Sequence, residues 1–501
     1  MASLVRTYQK KKLLGQIYTP AHIVEKILDE VHFKAEAVTG KTILDPACGD
    51  GRFLVAVVQR IIQYSPAHSL SDNLHKVYGW DIDAEALALC REALDELVVP
   101  LGLRIKWQLY QLNAFDQVYS RQQFDIIVGN PPYIRIQHLP AQQRAWLQQQ
   151  YTFCRSGSTD AYVAFFELAA RLLAPDGICG YITPNSYFTS DTARPLRQYF
   201  TDHQNLRLIT NYGSVRVFES AGTYAAITVF GTRQQQQFRY ELSNERFEYR
   251  GRSISFDELK QCDLWQLSVV PQKHIMGTRL GELCKISVGL TTLCDSIYLL
   301  KVDNMDKEVV EATSKKGERF KIERSILKPV VKASRLKGTD DPIREYILFP
   351  YREDTYGKNE IIPEAELKAY YPYAYKYLLR NRPTLDRRDN GKPNLIAWYA
   401  FGRSQSLDHS FGPKIIFSPM NREPNFVWYP NPDCTVYSGY YIKFEGDGAT
   451  LARILNSPLM ADYMTIAGRD FRGGWKGYSK KIVENFIVPA TELARLHPKL
   501  P

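Results

Sequence analysis

Between residues 21 and 230, short apolar runs alternate with segments whose apolar positions recur every three or four residues. The runs 41–45, 76–81, 104–112, 124–128 and 178–182 read as strands, and 53–62, 84–97 and 161–173 as helices. In the second helix Leu87, Leu94 and Leu97 share one face. Thr159 or Asp160 can cap the third, and Pro175-Asp176-Gly177 ends it. Strands that alternate with helices in this way predict an α/β fold with a mostly parallel, doubly wound sheet. Two late strands, 206–212 and 224–230, have only a turn-like segment between them and predict an antiparallel hairpin at the sheet's edge.

Beyond this region helical periodicity weakens, glutamines run together from Gln234 to Gln237, and Pro, Tyr, Arg and Lys become frequent. The pattern divides the chain into a catalytic α/β domain over 1–235, a linker over 236–276, and a mixed α+β domain over 277–501. In the last, 285–300, 346–350, 414–417 and 440–444 read as short strands, with helices at 449–455 and 458–467.

The length of 501 residues, 45% hydrophobic and 24% charged, suits a globular protein with more than one core. No stretch approaches the roughly 20 apolar residues that cross a bilayer, and the basic start lacks the apolar run of a secretion signal. A cytoplasmic protein is therefore expected. The net charge of +10 and the 32 tyrosines fit nucleic acid binding, in which cations meet phosphate and rings stack on bases; they equally fit an ordinary basic protein. The eight cysteines are scattered, with no zinc spacing, and predict reduced thiols and no metal site.

The chemistry concentrates at strand ends. Asn130-Pro131-Pro132-Tyr133 follows the apolar run that closes on Gly129, so a carboxamide, two rigid prolines and an aromatic ring stand at the carboxyl end of a strand. An amide and a carbonyl beside a flat ring suit gripping a planar amine or amide by its NH2 hydrogens. The first strand ends in Asp45-Pro46-Ala47-Cys48-Gly49-Asp50-Gly51, whose acidic character is a poor phosphate cradle and a better partner for a cationic ligand. A glycine-bearing turn is by itself equally a structural turn. Asp81 at the tip of the second strand, followed by Ile82, can accept ribose hydroxyls, whereas Asp83 suits a helix cap. Asn113-Ala114-Phe115 at the third tip can hydrogen-bond and cover an adenine. Together these tips describe a nucleoside carrying positive charge, which S-adenosylmethionine fits.

With these motifs the chain resembles the gamma subclass of DNA adenine-N6 methyltransferases, the Taq-type enzymes of restriction–modification systems, over nearly its whole length. Asn130-Pro131-Pro132-Tyr133 is similar to that family's catalytic signature, and Asp45 to Phe53, with Ala47, Gly49 and Gly51, to its glycine motif. Gly15-Gln16-Ile17-Tyr18-Thr19-Pro20 resembles the segment that holds the cofactor's methionine part. The resemblance implies a Rossmann-like S-adenosylmethionine-dependent sheet in which Tyr18, Thr19, Pro20, Asp45, Ala47, Gly49, Gly51, Asp81, Ile82, Asn113, Ala114, Phe115 and Asn130 bind the cofactor. One departure is that Asn113-Ala114 stands where many relatives carry an acidic residue. The resemblance further implies that Asn130 and the Pro131 carbonyl take the hydrogens of a flipped adenine's amine, while Tyr133 and Phe218 sandwich the base.

The carboxyl-terminal domain resembles the family's target-recognition domain, in which basic, aromatic and glycine residues interleave from Gly468 to Tyr478. Arg422, Arg469, Arg472 and Lys476 are the expected contacts to double-stranded DNA. The expected enzyme is a site-specific, adenine-specific DNA methyltransferase that pairs functionally with a separate restriction endonuclease and is complete as a monomer. Two alternatives are the same chemistry on an RNA base or a protein glutamine, and a DNA-specificity module without catalysis.

Overall fold

The computed structural model describes residues 18–496, except 156, 158, 219–223, 261–263, 271–274, 304, 306, 472 and the side chain of residue 470. The Gly15–Ile17 part of the amino-terminal motif and the expected DNA contact Arg472 therefore lie outside the described residues. The chain forms two compact units, 1–272 and 273–501.

The first unit is built on a nine-stranded sheet of β1 (Ile43–Asp45), β2 (Val77–Asp81), β3 (Gln108–Gln111), β4 (Phe124–Gly129), β5 (Leu173–Pro184), β6 (Leu206–Asn211), β7 (Ala225–Gly231), β8 (Gln237–Ser243) and β9 (Tyr249–Ser255), in the order β3-β2-β1-β4-β5-β7-β6-β8-β9. The first five in that order run parallel, and β7 lies antiparallel to both β5 and β6. Alternate residues of one strand feed different cores. Ile127 packs with Trp80, Phe124 and the helix Tyr162–Leu172, while Ile126 and Val128 pack with the helices Ala21–Glu30, Arg52–Tyr64 and Ala84–Val98. Helices cover both faces, and for that reason the central strands read as unbroken apolar runs.

The residues expected as a linker depart most from the sequence reading. Gln237–Ser243 and Tyr249–Ser255 are strands β8 and β9 of the same sheet, so β6 and β7 do not form its edge. Burial alternates over the first half of β8: Phe238 and Tyr240 point into the core while Gln237 and Arg239 face solvent. Such a half-polar strand has a period of two but no apolar run. Glu241 within the same strand is buried and is held by Lys26 at 2.9 Å and the Thr210 hydroxyl at 2.9 Å. The third strand is also shorter than expected, and the fifth begins earlier, at Leu173, through a register shift against β4.

The second unit is mixed α+β. A four-stranded sheet contains Lys285–Val288, Lys414–Phe417, Phe426–Tyr429 and Tyr440–Lys443, beside a six-stranded sheet and the helices Pro372–Leu385, Gly448–Leu455 and Pro458–Ala467. The stretch expected as one strand over 285–300 is two, Lys285–Val288 and Leu299–Val302, with a short helix Asp295–Tyr298 between them. Among the described residues no helix is long and apolar enough to cross a membrane.

Candidate active site

The strand order reverses at β1, which has β2 on one side and β4 on the other, so the loops leaving β1 and β4 diverge at the carboxyl end of the sheet. A crevice is expected at such a switch point. The glycine loop and Asn130-Pro131-Pro132-Tyr133 are these two loops.

Close packing joins them. Asp45, the last residue of β1, is 1% exposed and accepts the Ala47 N–H at 3.0 Å. A side chain at Gly129 would place its Cβ 2.7 Å from an Asp45 oxygen, so only glycine lets β4 deliver Asn130 past that carboxylate. Burial pushes the Asp45 carboxyl up to about 8; the Ala47 N–H opposes this and the charge of Asp81 adds to it. The stability consequence has a definite sign. The folded state holds a proton that the unfolded chain releases near 3.8, so Asp45's contribution is fully present below that value and is lost as pH rises to about 8. The difference in melting temperature between the wild type and Asp45→Asn is expected to fall as pH is raised across this window. An upper bound is on the order of several kcal/mol. A difference that stays constant from acid to alkaline pH would exclude the buried proton.

The glycine loop is tied to the tip of β2. Asp81 accepts the Gly49 N–H at 2.8 Å and the Asp83 N–H at 2.9 Å, one at each oxygen. Burial raises its carboxyl despite these bonds. The Ile82 N–H also favours the charged carboxylate, and some acceptor capacity remains for a ligand. Gly49 has φ of 53°, and an added Cβ there meets nothing within 4 Å, so the loop backbone borders open space. Asp83 caps the helix Ala84–Val98 through the Glu85 N–H at 3.1 Å. The Cys48 thiol is held well above its ordinary value by its bond to Cys90 and by burial, which keeps it a poor nucleophile.

At the third tip Asn113 accepts the Phe115 N–H at 3.2 Å, and Ala114 is buried. The half-buried Phe115 ring rests on Phe165 at 4.8 Å and Tyr151 at 5.5 Å. Ile82 is exposed. Thr19 is buried and Pro20 begins the helix Ala21–Glu30, while the exposed ring of Tyr18 lies under the Arg52 guanidinium at 5.2 Å. An open loop backbone, a carboxylate at the neighbouring tip and a partly exposed ring at the third form a donor set that fits S-adenosylmethionine.

Asn130 is half-buried and Pro131 buried. The Tyr133 ring lies 6.0 Å from Phe218 and 6.5 Å from Tyr162, and its hydroxyl donates to the Ile182 carbonyl at 3.4 Å. Burial pushes its phenol well above the ordinary value. The structure thus brings Tyr133 and Phe218 together, but with ring planes at 69° and Phe218 only 1% exposed. A flat base fits between two faces rather than between a face and an edge, so these rings do not form an open slot. Two residues here were not singled out in the sequence. Tyr162 packs on Tyr133 and bonds Ser186 at 3.2 Å, and Asn185 bonds Asn211 at 3.0 Å. Asn185 directly follows β5, whereas Tyr162 opens the helix before it and carries no signal of its own in the sequence.

In the second unit, Met420–Asn421, Trp475–Gly477 and Arg469–Phe471 form a three-stranded sheet that gathers the remaining expected DNA contacts. The Arg422 guanidinium lies 5.4 Å from the Trp475 ring and that of Arg469 lies 5.4 Å from the Phe471 ring. Lys476 instead reaches the Thr465 carbonyl at 3.4 Å. No group of His, Cys, Asp and Glu able to hold a metal occurs among the described residues.

Comparison with known proteins gives the class first. Residues 103–218 match the Eco57I restriction-modification methylase family, and residues 16–152 match the RMKL-like methyltransferase domain. The chain is 25% identical to the Type II methyltransferase M.BanIII of Aneurinibacillus aneurinilyticus, over 96% of this chain and 91% of that protein. It is 22% identical to the Type II restriction enzyme and methyltransferase RM.Eco57I of Escherichia coli, over 95% of this chain but only 57% of that protein. Its fold is similar to that of the Type IIL restriction-modification enzyme MmeI, solved in complex with DNA, with a TM-score of 0.60 and 12% identity over 93% of this chain and 64% of that one. These findings support kinship with the type II restriction–modification methylases of the Eco57I kind and a mixed α/β methyltransferase fold.

Proposed function

We propose that this chain is a site-specific DNA methyltransferase that methylates the exocyclic N6 amine of an adenine flipped out of duplex DNA, with S-adenosylmethionine as donor. The observation that carries the reading is the meeting of Asn130-Pro131-Pro132-Tyr133 with the glycine loop at one switch point of the sheet. Asp81, the Gly49–Gly51 backbone, Phe115, Tyr18, Thr19 and Pro20 would hold the cofactor, which supplies an electrophilic methyl group on a sulfonium.

The chain's own residues do the rest. An aromatic amine is a poor nucleophile because its lone pair is delocalised into the ring. The Asn130 side-chain oxygen and the Pro131 carbonyl accept its two hydrogens, which draws the nitrogen towards tetrahedral geometry and localises the lone pair. Flipping the base costs roughly a few kcal/mol. Stacking on Tyr133 offsets about 1–3 kcal/mol of that, and Phe218 contributes a second ring once it turns its face to the base. Arg422 and Arg469 engage the duplex, and the product protects host DNA from a separate restriction endonuclease.

The test is to incubate the chain with a duplex library and S-adenosylmethionine, then digest the DNA to nucleosides for mass spectrometry. N6-methyladenine is the expected product. N4-methylcytosine would move the reading to another base, and transfer only to RNA or to protein glutamine would overturn it.

A further inference from the structure

We infer that the outward face of the three-stranded sheet in the second unit reads guanine in the major groove, with Arg422 and Arg469 as specificity-determining residues. The inference takes its ligand, duplex DNA, from the reading above and assigns a readout to part of that contact.

The register separates the candidate contacts. Side chains alternate between the faces of a strand, and residues directly opposite in an antiparallel pair share a face. Arg469 lies opposite Gly477, Phe471 opposite Trp475, and Met420 also opposite Gly477. These residues define one face, and Arg422 joins it by lying over the Trp475 ring. Lys476 and its partner Asn421 define the other. That second face turns inward: Asn421 is buried and donates to the Ser418 carbonyl at 3.0 Å, and Lys476 is half-buried against the helix Pro458–Ala467. The first face is outward, with Arg422 and Arg469 exposed and Trp475 38% exposed.

The chemistry of the outward face favours base edges over phosphate. A lysine on a flexible stem serves as a point charge for phosphate, whereas a planar guanidinium offers a fixed fork of donors. Stacking on a ring engages the flat of the guanidinium and holds it in place, leaving the fork at its edge. Both guanidiniums lie over a ring at 5.4 Å, and among the described residues no carboxylate pairs with either. Such a fork matches O6 and N7 of guanine, and the major groove is wide enough for a two-stranded ribbon. Gly473 and Gly474, with φ of 77° and 78°, turn the hairpin tightly and leave no side chains of their own at its tip, which allows close approach to the DNA.

The experiment selects duplexes from a random library by binding to the full chain, for the wild type, Arg422→Lys, Arg469→Lys and Lys476→Ala, and measures methyl transfer on the selected sequences. The wild type is expected to select fixed guanines. Each Arg→Lys variant, its charge and its melting temperature kept, is expected to lose about 5- to 150-fold of discrimination at one G·C position. Lys476→Ala, on the inward face, is expected to keep the wild-type base preference. Retention of the wild-type preference by both Arg→Lys variants, or a selected sequence without guanine, overturns the inference. A chain that selects guanine-containing duplexes but transfers no methyl overturns the catalytic reading and leaves this one standing.

Discussion

Asn130→Ala is expected to lower the single-turnover rate of methyl transfer by about 10²- to 10³-fold, the usual cost of removing one positioned hydrogen-bonding group from a transition state. The size follows from what is left behind. The Pro131 carbonyl still accepts one amine hydrogen, and Tyr133 still offers its ring, so the base can enter but its nitrogen stays planar. The loop itself is held by two prolines and by the packing of Gly129 on Asp45. The variant should therefore melt within a few degrees of the wild type, as is typical of a half-buried substitution. The effect belongs in the chemical step, so it is read with enzyme in excess over DNA, where product release does not count. A variant that keeps the wild-type rate would remove Asn130 from the mechanism and, with it, the main support for amine methylation.

Parts of this arrangement were legible in the sequence because they depend on local chemistry. β1, β2 and β4 are covered on both faces and announce themselves as apolar runs, and their tips carry Asp45, Asp81 and Asn130 whatever the remaining packing does. β8 and β9 were not legible, because a strand with one wet face mixes Phe238 and Tyr240 with Gln237 and Arg239 and resembles a polar linker. The division between Lys476 and the two arginines was hidden for a different reason. It depends on which residue lies opposite which, and a slip of one position would exchange the faces. The family resemblance placed Phe218 beside Tyr133, but the 69° between the ring planes is a product of tertiary packing. Tyr162 touches the site only because the segments around Ile134 and Ala161 are stitched together by backbone bonds, Ala161 N–H to the Ile134 carbonyl at 2.7 Å and Ile136 N–H to the Thr159 carbonyl at 3.0 Å.

The two glycines of the β1 loop are expected to fail differently when replaced by alanine, and the contrast tests whether this loop is a binding surface or only a turn. Gly51 starts the helix Arg52–Tyr64 with φ of 91°, and an added Cβ would lie 2.6 Å from the Cys90 sulfur and 3.4 Å from the Cys90 Cα. Cys90 is fully buried in the helix Ala84–Val98 and cannot swing away. A left-handed residue costs about 1–3 kcal/mol and overpacking a further 1–3 kcal/mol, so Gly51→Ala should lose roughly 2–6 kcal/mol of stability. At Gly49 the φ of 53° lies in the left-handed well that alanine enters at a cost of about 1–2 kcal/mol, and the new methyl meets no protein atom. Gly49→Ala should therefore melt close to the wild type, yet place its methyl in the space proposed for the cofactor and weaken S-adenosylmethionine binding by about tenfold or more, the effect of some 1.4 kcal/mol. Thermal unfolding and calorimetric titration separate the two. If Gly49→Ala binds S-adenosylmethionine as tightly as the wild type, the open side of the loop is not the cofactor's side. A Gly51→Ala protein as stable as the wild type would mean that the helix carrying Cys90 yields where its burial says it should not.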